Sequence, residues 1–255
     1  MKSPFKFLDS YDKSDSNIFF GRDDEIEKLY EMVFQTNLIM LYGQSGTGKT
    51  SIIKCGLANR FLDTDWFDMY VRRRDNLNNS LWRSLTQAAD TPLEEGMSIK
   101  DAVYSLYLDY MKPIYLIFDQ FEEIFILGSQ EEQDTFFKSL NELITEEVPV
   151  TIILSMREEY IALLYKYEQM IPQLFNKRIR IEPMSYTNLR QVVTGTCEAF
   201  SIDIQDEENT VTQIIKNISD GHTVQLSYLQ VYLDKLFREA IKEAQGQDID
   251  ELETA

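Results

Sequence analysis

The sequence predicts an α/β fold built on a parallel sheet, and three observations carry that prediction. Stretches 38–42, 113–118 and 148–155 are continuous apolar runs of strand length, the pattern of strands covered on both faces. Between them lie amphipathic stretches whose apolar residues recur at helical spacing. The first run leads directly into Gly43-Gln44-Ser45-Gly46-Thr47-Gly48-Lys49-Thr50. That is the phosphate-loop pattern G-x-x-x-x-G-K-[ST] in full, in the strand–loop–helix context it needs.

The residue types explain the pattern. The glycines allow conformations closed to a residue with a Cβ, so successive N–H groups can turn toward one anion. The helix that follows adds its unpaired N–H groups and the positive end of its dipole. Lys49 supplies a mobile charge for β- and γ-phosphates, and the Thr50 hydroxyl can hold Mg²⁺. Candidate nucleotide contacts therefore run from Gly43 through Ser51, and the helix is expected over 51–62.

Before the loop, residues 1–20 read as a polar arm ending in the apolar tag Ile18-Phe19-Phe20, with a turn at Gly21-Arg22. Asp23 can cap a helix whose apolar face is Ile26, Leu29, Tyr30 and Val33. Phe19, Phe20, Gly21 and Arg22 can line a nucleotide base. The spacing fits a hydrophobic staple on that helix better.

After the loop helix, 65–71 reads as a strand and exits into Arg72-Arg73-Arg74. In an acidic chain this cluster reads as a solvated strand end before it reads as an anion contact. Helices are expected at 79–89 and 98–111, separated by Thr91-Pro92 and Gly96. The next buried run ends in Asp119. At the carboxyl end of a parallel strand, that carboxylate shares a rim with the phosphate loop and suits Mg²⁺, opposite Thr50. Glu122 and Glu123 follow, and either can act as the base that deprotonates an attacking water.

A helix over 131–144 precedes the strand 148–155, which ends at Met156-Arg157. Arg157 can meet a γ-phosphate with its planar donor fork, or pair with Glu158 or Glu159. A helix at 159–167 and a short strand from Arg178 complete the sheet. Arg178 reads as an exposed strand-edge residue before an arginine finger. From Ser185 the pattern is helical only, at 186–200, 207–219 and 224–244. Asp220-Gly221 separates the last two, and the tail 245–255 is polar. His222, the single histidine, reads as a loop residue.

Composition excludes several classes. The 255 residues are 44% hydrophobic, enough for one large or two small cores, and carry a net charge of −18. Such a charge argues against a nucleic-acid surface. Two isolated cysteines, Cys55 and Cys197, give no disulfide framework. No stretch has the length of a signal or a membrane span. The expectation is a cytoplasmic protein that is not inserted in a membrane.

Taken together, Phe19-Phe20-Gly21-Arg22-Asp23-Asp24-Glu25-Ile26, the phosphate loop, 116–123 and 153–157 resemble the nucleotide-binding module of STAND ATPases. These are signal-transducing relatives of the AAA+ class, and the bacterial branch whose magnesium strand ends D-Q-F-E-E is the nearest. The resemblance implies a P-loop NTPase with a three-layer αβα core, sheet order 5-1-4-3-2 and a small helical lid. The implied divisions are an arm at 1–20, a nucleotide-binding domain at 21–184, a lid at 185–244 and a tail at 245–255. It implies Phe19 to Arg22 beside adenine, Lys49 and Thr50 on phosphates and Mg²⁺, and Asp119 on the metal. Glu122 or Glu123 would be the base, and Arg157 a γ-phosphate sensor. The place after the magnesium Asp, a Glu in many AAA+ members, is Gln120 here, nearer the D-x-x-[DE]-E arrangement of NACHT-type relatives. The implied function is an ATP/ADP switch with slow hydrolysis that self-associates and signals through domains outside this chain. A nucleotide-holding module without turnover and an initiator-like ATPase are the alternatives.

Overall fold

The computed structural model describes residues 3–146, 148–219 and 224–245. His222, the Asp220-Gly221 break and the tail beyond Gln245 lie outside the described residues. The chain forms two compact units, one from segments 24–45 and 57–182, the other from residues up to 23, 46–56 and from 183 onward.

The first unit is the α/β unit. Its strands are β1 (Leu38–Gly43), β2 (Phe67–Val71), β3 (Ile114–Phe118), β4 (Val150–Arg157) and β5 (Arg178–Arg180). They form one parallel sheet in the order β2-β3-β4-β1-β5. The order is the expected one. The apolar runs are continuous because both faces are covered: Leu38, Met40, Leu116, Phe118, Ile152 and Leu154 point one way, and Ile39, Ile117 and Ile153 the other, all buried. The first set packs with α3 (Leu77–Ala88), α4 (Ile99–Tyr110) and α6 (Gln130–Thr145) through residues such as Leu81, Leu106 and Phe137. On the other face Tyr115 packs against Trp66 and Phe61 with tilted rings, and Phe61 meets Tyr30 of α1 (Asp23–Val33). Asn76, Ser98 and Ser129 cap α3, α4 and α6, each accepting a backbone N–H of the first turn.

The connection from β1 runs to the far edge at β2, whereas that from β4 crosses β1 to β5. Adjacent strands whose connections leave in opposite directions open a crevice at their carboxyl ends, the usual place for a ligand in such sheets. Gly43 of β1 lies in register with Arg157 of β4 at that point.

Two local expectations are corrected. The segment after the phosphate loop is not a regular α-helix over 51–62. It begins as α2 (Lys49–Ser51), widens to a π-helical turn at Ile52–Leu57 and tightens to a 3₁₀ turn at Ala58–Arg60. The helix expected at 159–167 is a 3₁₀ helix over Glu158–Tyr167. Between β3 and α6 the two glutamates begin a short helix, α5 (Glu123–Ile126).

The second unit holds α7 (Tyr186–Ala199), α8 (Glu207–Ile218) and α9 (Leu226–Gln245), packed around Leu189, Val193, Val211 and Leu229. The N-terminal residues belong to this unit as well. Phe5 is buried in this helical core, and the Lys6 N–H donates to Gln230 Oε1 of α9 at 3.2 Å. A 3₁₀ turn at Lys13–Ile18, capped by Asp12, buries Tyr11 and Ile18 against Cys55.

Candidate active site

The phosphate loop takes the conformations its glycines were expected to permit. Gly46 and Gly48 have φ of +77° and +89°, in the left-handed region. At Gly46 an added Cβ would meet nothing within 4 Å, so the backbone conformation alone demands glycine there. Gly43 answers to space instead, since a Cβ there would stand 2.3 Å from the Ile181 carbonyl oxygen. Gln44, Ser45 and Gly46 are exposed, Lys49 and Thr50 half-buried, and Thr47 buried.

Within the second unit, the loop's later half is held from behind. The buried Arg22 guanidinium donates to the Thr47 carbonyl at 2.8 Å. Ser51 Oγ accepts the Tyr11 N–H at 3.1 Å, so this hydroxyl faces the N-terminal segment. Burial, with Asp15 nearby, pushes the Tyr11 phenol well above its ordinary value. Phe19 packs on Tyr11, with ring centroids 5.3 Å apart. Phe20 lies against Gly195 of α7, where an added Cβ would come within 3.0 Å of its ring. Gly21 has φ +77°, its carbonyl accepts Asn188 Nδ2–H at 2.8 Å, and a Cβ on it would lie 2.7 Å from the Asn188 carbonyl oxygen. The first residue of α9, Leu226, comes within 3.4 Å of where a Gly48 Cβ would be.

Within the α/β unit, the carboxylates gather at the ends of β3 and β4. Gln120 has φ +56°, an uncommon left-handed position for a side chain other than glycine. It bends the chain sharply out of β3. The Phe121 N–H then donates to the Ser155 carbonyl at 2.9 Å, and the Phe121 ring is buried among Phe118, Phe136 and Phe137. This anchor aims Glu122 at β4. One oxygen of Glu122 meets Arg157 Nε at 3.1 Å and the other accepts the Arg157 N–H at 3.2 Å. Glu122 is 5% exposed at its side chain and Arg157 48%. Glu123, by contrast, is half-buried in the first turn of α5. Arg157 therefore pairs with neither Glu158 nor Glu159. Glu158 pairs with Arg180 at 2.7 Å.

Asp119 is buried at the end of β3, where its N–H donates to the Val71 carbonyl at 3.2 Å. Its Oδ1 accepts from the Ser155 hydroxyl at 3.3 Å. Its Oδ2 accepts two guanidinium N–H groups of Arg72, the one from Nε at 3.1 Å. Burial, with the Asp68 and Asp119 carboxylates adding to it, pushes the neighbouring Tyr70 phenol far up, so it stays protonated. The basic cluster is exposed at Arg72 and Arg74, as expected of a solvated strand end, but two of its arginines also have carboxylate partners. Arg72 holds Asp119, and Arg73 forms a two-bond pair with the buried Glu132, both at 2.9 Å. Sequence reasoning missed these partners, which lie 47 and 59 residues away. Arg178 is exposed on β5, as expected of an edge residue.

The donor set at Asp119 fits Mg²⁺. It is a hard carboxylate oxygen beside a hydroxyl, and no group of three or more His, Cys, Asp or Glu residues that could hold a metal occurs among the described residues. Mg²⁺ commonly takes one or two protein oxygens and completes its shell with phosphates and water.

A parallel sheet in this order, with a phosphate loop after its first strand and carboxylates after its third, defines a P-loop NTPase. The description Novel STAND NTPase 1 matches residues 4–254, and the chain belongs to that family. No curated protein matches it. Among solved structures, the Walker-type ATPase PABY2304 of Pyrococcus abyssi is 16% identical with a TM-score of 0.65, over 98% of this chain and 79% of that one. The ORC2 protein of Aeropyrum pernix in its ADP form is 17% identical with a TM-score of 0.65, over 96% and 70%. Domain III of the replication initiation protein DnaA from Thermotoga maritima is 16% identical with a TM-score of 0.56, over 93% and 91%. At such identities the likeness shows the fold alone. No helix among the described residues is long and apolar enough to cross a membrane.

Proposed function

We propose that the chain is an ATP-binding switch module that hydrolyses ATP slowly, rests with ADP bound, and couples nucleotide exchange to self-association and signalling. A role in defence or stress response follows from the family resemblance. Lys49 and the loop N–H groups would bind the phosphates, and Thr50 and Asp119 would hold Mg²⁺, which when bound neutralises charge on the β- and γ-phosphate oxygens. Glu122 takes a proton from the water that attacks the γ-phosphorus, as the bond to the ADP oxygen breaks. Phe19, Phe20, Gly21 and Arg22 line or support the base site. Helices α7–α9 act as the lid.

The observation that carries this reading is the Glu122–Arg157 pair beside Gly43. Glu122 takes the Nε–H of the guanidinium, and its Nη groups could meet a γ-phosphate. A γ-phosphate that pulls the guanidinium toward itself would loosen the pair and free the carboxylate as a base, and its loss would restore the pair. Lid coupling draws support from Leu226 beside Gly48 and from Asn188 bonded to Gly21.

A second reading, a module that holds nucleotide without turnover, draws on the same pairs, since an Arg-bound Glu122 is no base. An initiator-like role is disfavoured by the net charge of −18. The test is to denature the purified protein, separate the released nucleotide, and run Lys49→Ala in parallel. ADP in the wild type and none in the variant is expected. A wild type that arrives empty and then turns over added ATP steadily would overturn the ADP-bound resting state.

A further inference from the structure

Two arginines leave the end of β2 side by side and are held very differently. Arg73 is 10% exposed at its side chain, pairs with Glu132 through two nitrogens, and also donates to the Asp75 and Leu127 carbonyls at 2.8 and 3.3 Å. It is fixed. Arg72 is 50% exposed, and its pairing is with one oxygen of a carboxylate whose own side chain is 5% exposed. The carboxylate cannot follow a departing partner, because Asp119 is pinned by the β2 backbone and by Ser155. The guanidinium can depart, because the Arg72 side chain is half exposed.

We propose that Arg72 is a latch on the metal-binding carboxylate: it holds Asp119 until a divalent cation arrives with the nucleotide, and the cation binds by displacing it. This rests on the reading above that Asp119 is a metal ligand. Oδ2 receives two N–H groups from Arg72 and Oδ1 one O–H from Ser155, so a cation that bonds either oxygen directly sits close to a guanidinium of like charge. The arginine keeps a buried carboxylate satisfied when no metal is present, and the competition weakens cation binding. Metal affinity is then set by an exposed residue just past β2 as well as by the ligands themselves. Arg72 is a positioning residue and touches no reacting atom.

The test is Mn²⁺ binding to the full chain with ADP, followed by the electron paramagnetic resonance signal of free Mn²⁺, so that no turnover is needed. Arg72→Ala and Arg72→Gln are expected to bind Mn²⁺ roughly 3- to 30-fold more tightly than wild type, the range for losing a half-exposed, charge-assisted competitor. In an Asp119→Asn background the same substitutions should have no effect. Equal or weaker Mn²⁺ binding by either Arg72 variant, with Asp119→Asn still weakened, overturns the latch alone, since a merely structural arginine would loosen the site on removal. Wild-type Mn²⁺ affinity in Asp119→Asn overturns the metal assignment, and the latch with it.

Discussion

Replacing Glu122 by Gln separates a catalytic role from a structural one, because the two predict losses of different size. Both oxygens of Glu122 accept from Arg157, from Nε at 3.1 Å and from the backbone N–H at 3.2 Å. The amide keeps one acceptor and turns the other into a donor that faces a donor. A hydrogen bond to a charged group contributes about 1.5–3 kcal/mol when buried. Arg157 is 48% exposed, so solvent screening reduces the loss to about 1 kcal/mol. A domain of this size would melt roughly 2–4 °C lower. Loss of a general base costs about 10²- to 10⁴-fold in rate, or roughly 3–5.5 kcal/mol of barrier. The catalytic loss therefore exceeds anything the fold accounts for. The assay is single-turnover hydrolysis with protein in excess over ATP, beside nucleotide affinity and thermal melting. Glu123→Gln, in the first turn of α5, should change turnover little. Wild-type turnover in Glu122→Gln, or loss in Glu123→Gln in its place, would refute the assignment.

Glu132→Ala should destabilise the α/β unit by about 3–5 kcal/mol, read as a lower midpoint in urea. It leaves Arg73, whose side chain is 10% exposed, without its carboxylate and removes the acceptor of the Leu77 N–H at 2.6 Å, at the start of α3. An unchanged midpoint would mean that water replaces the carboxylate. Gly21→Ala meets both a φ of +77° and the Asn188 carbonyl oxygen at 2.7 Å. The left-handed conformation alone costs about 1–2 kcal/mol, so a lower melting temperature is expected, and a melt identical to wild type would show that the turn yields freely.

Most of the framework was legible because it is written in local pattern. Continuous apolar runs mark β1, β3 and β4 wherever both faces of a sheet are covered, and the phosphate loop declares itself through residue type and spacing. Asp119 was legible from its place at the end of such a run. Arg72 was not: periodicity reports whether a position is covered, not which distant residue covers it, and three consecutive arginines in an acidic chain look the same whether solvated or paired. The N-terminal segment failed for a related reason. Phe5, Tyr11 and Ile18 are scattered among polar residues with no helical or strand period, so their burial depends on partners such as Cys55 that lie far along the chain.

The turn after Asp119 shows why motif letters can outrun their usual interpretation. In D-Q-F-E-E the eye goes to the charged residues, yet the placement of Glu122 depends on the two uncharged ones. Gln120 adopts a conformation that costs about 1–3 kcal/mol and persists only where the surroundings over-determine it. Phe121 supplies that determination, with its N–H on the Ser155 carbonyl and its ring enclosed by phenylalanines of β3 and α6. Ser155 in turn donates to Asp119, so one residue of β4 fixes both the carboxylate assigned to the metal and the bend that directs the carboxylate assigned to the water. A base assigned only by counting residues from the magnesium Asp would fall on Gln120, which is exposed. Moving the carboxylate two residues further, past a buried aromatic anchor, places it against Arg157 instead, on the Nε edge of the guanidinium.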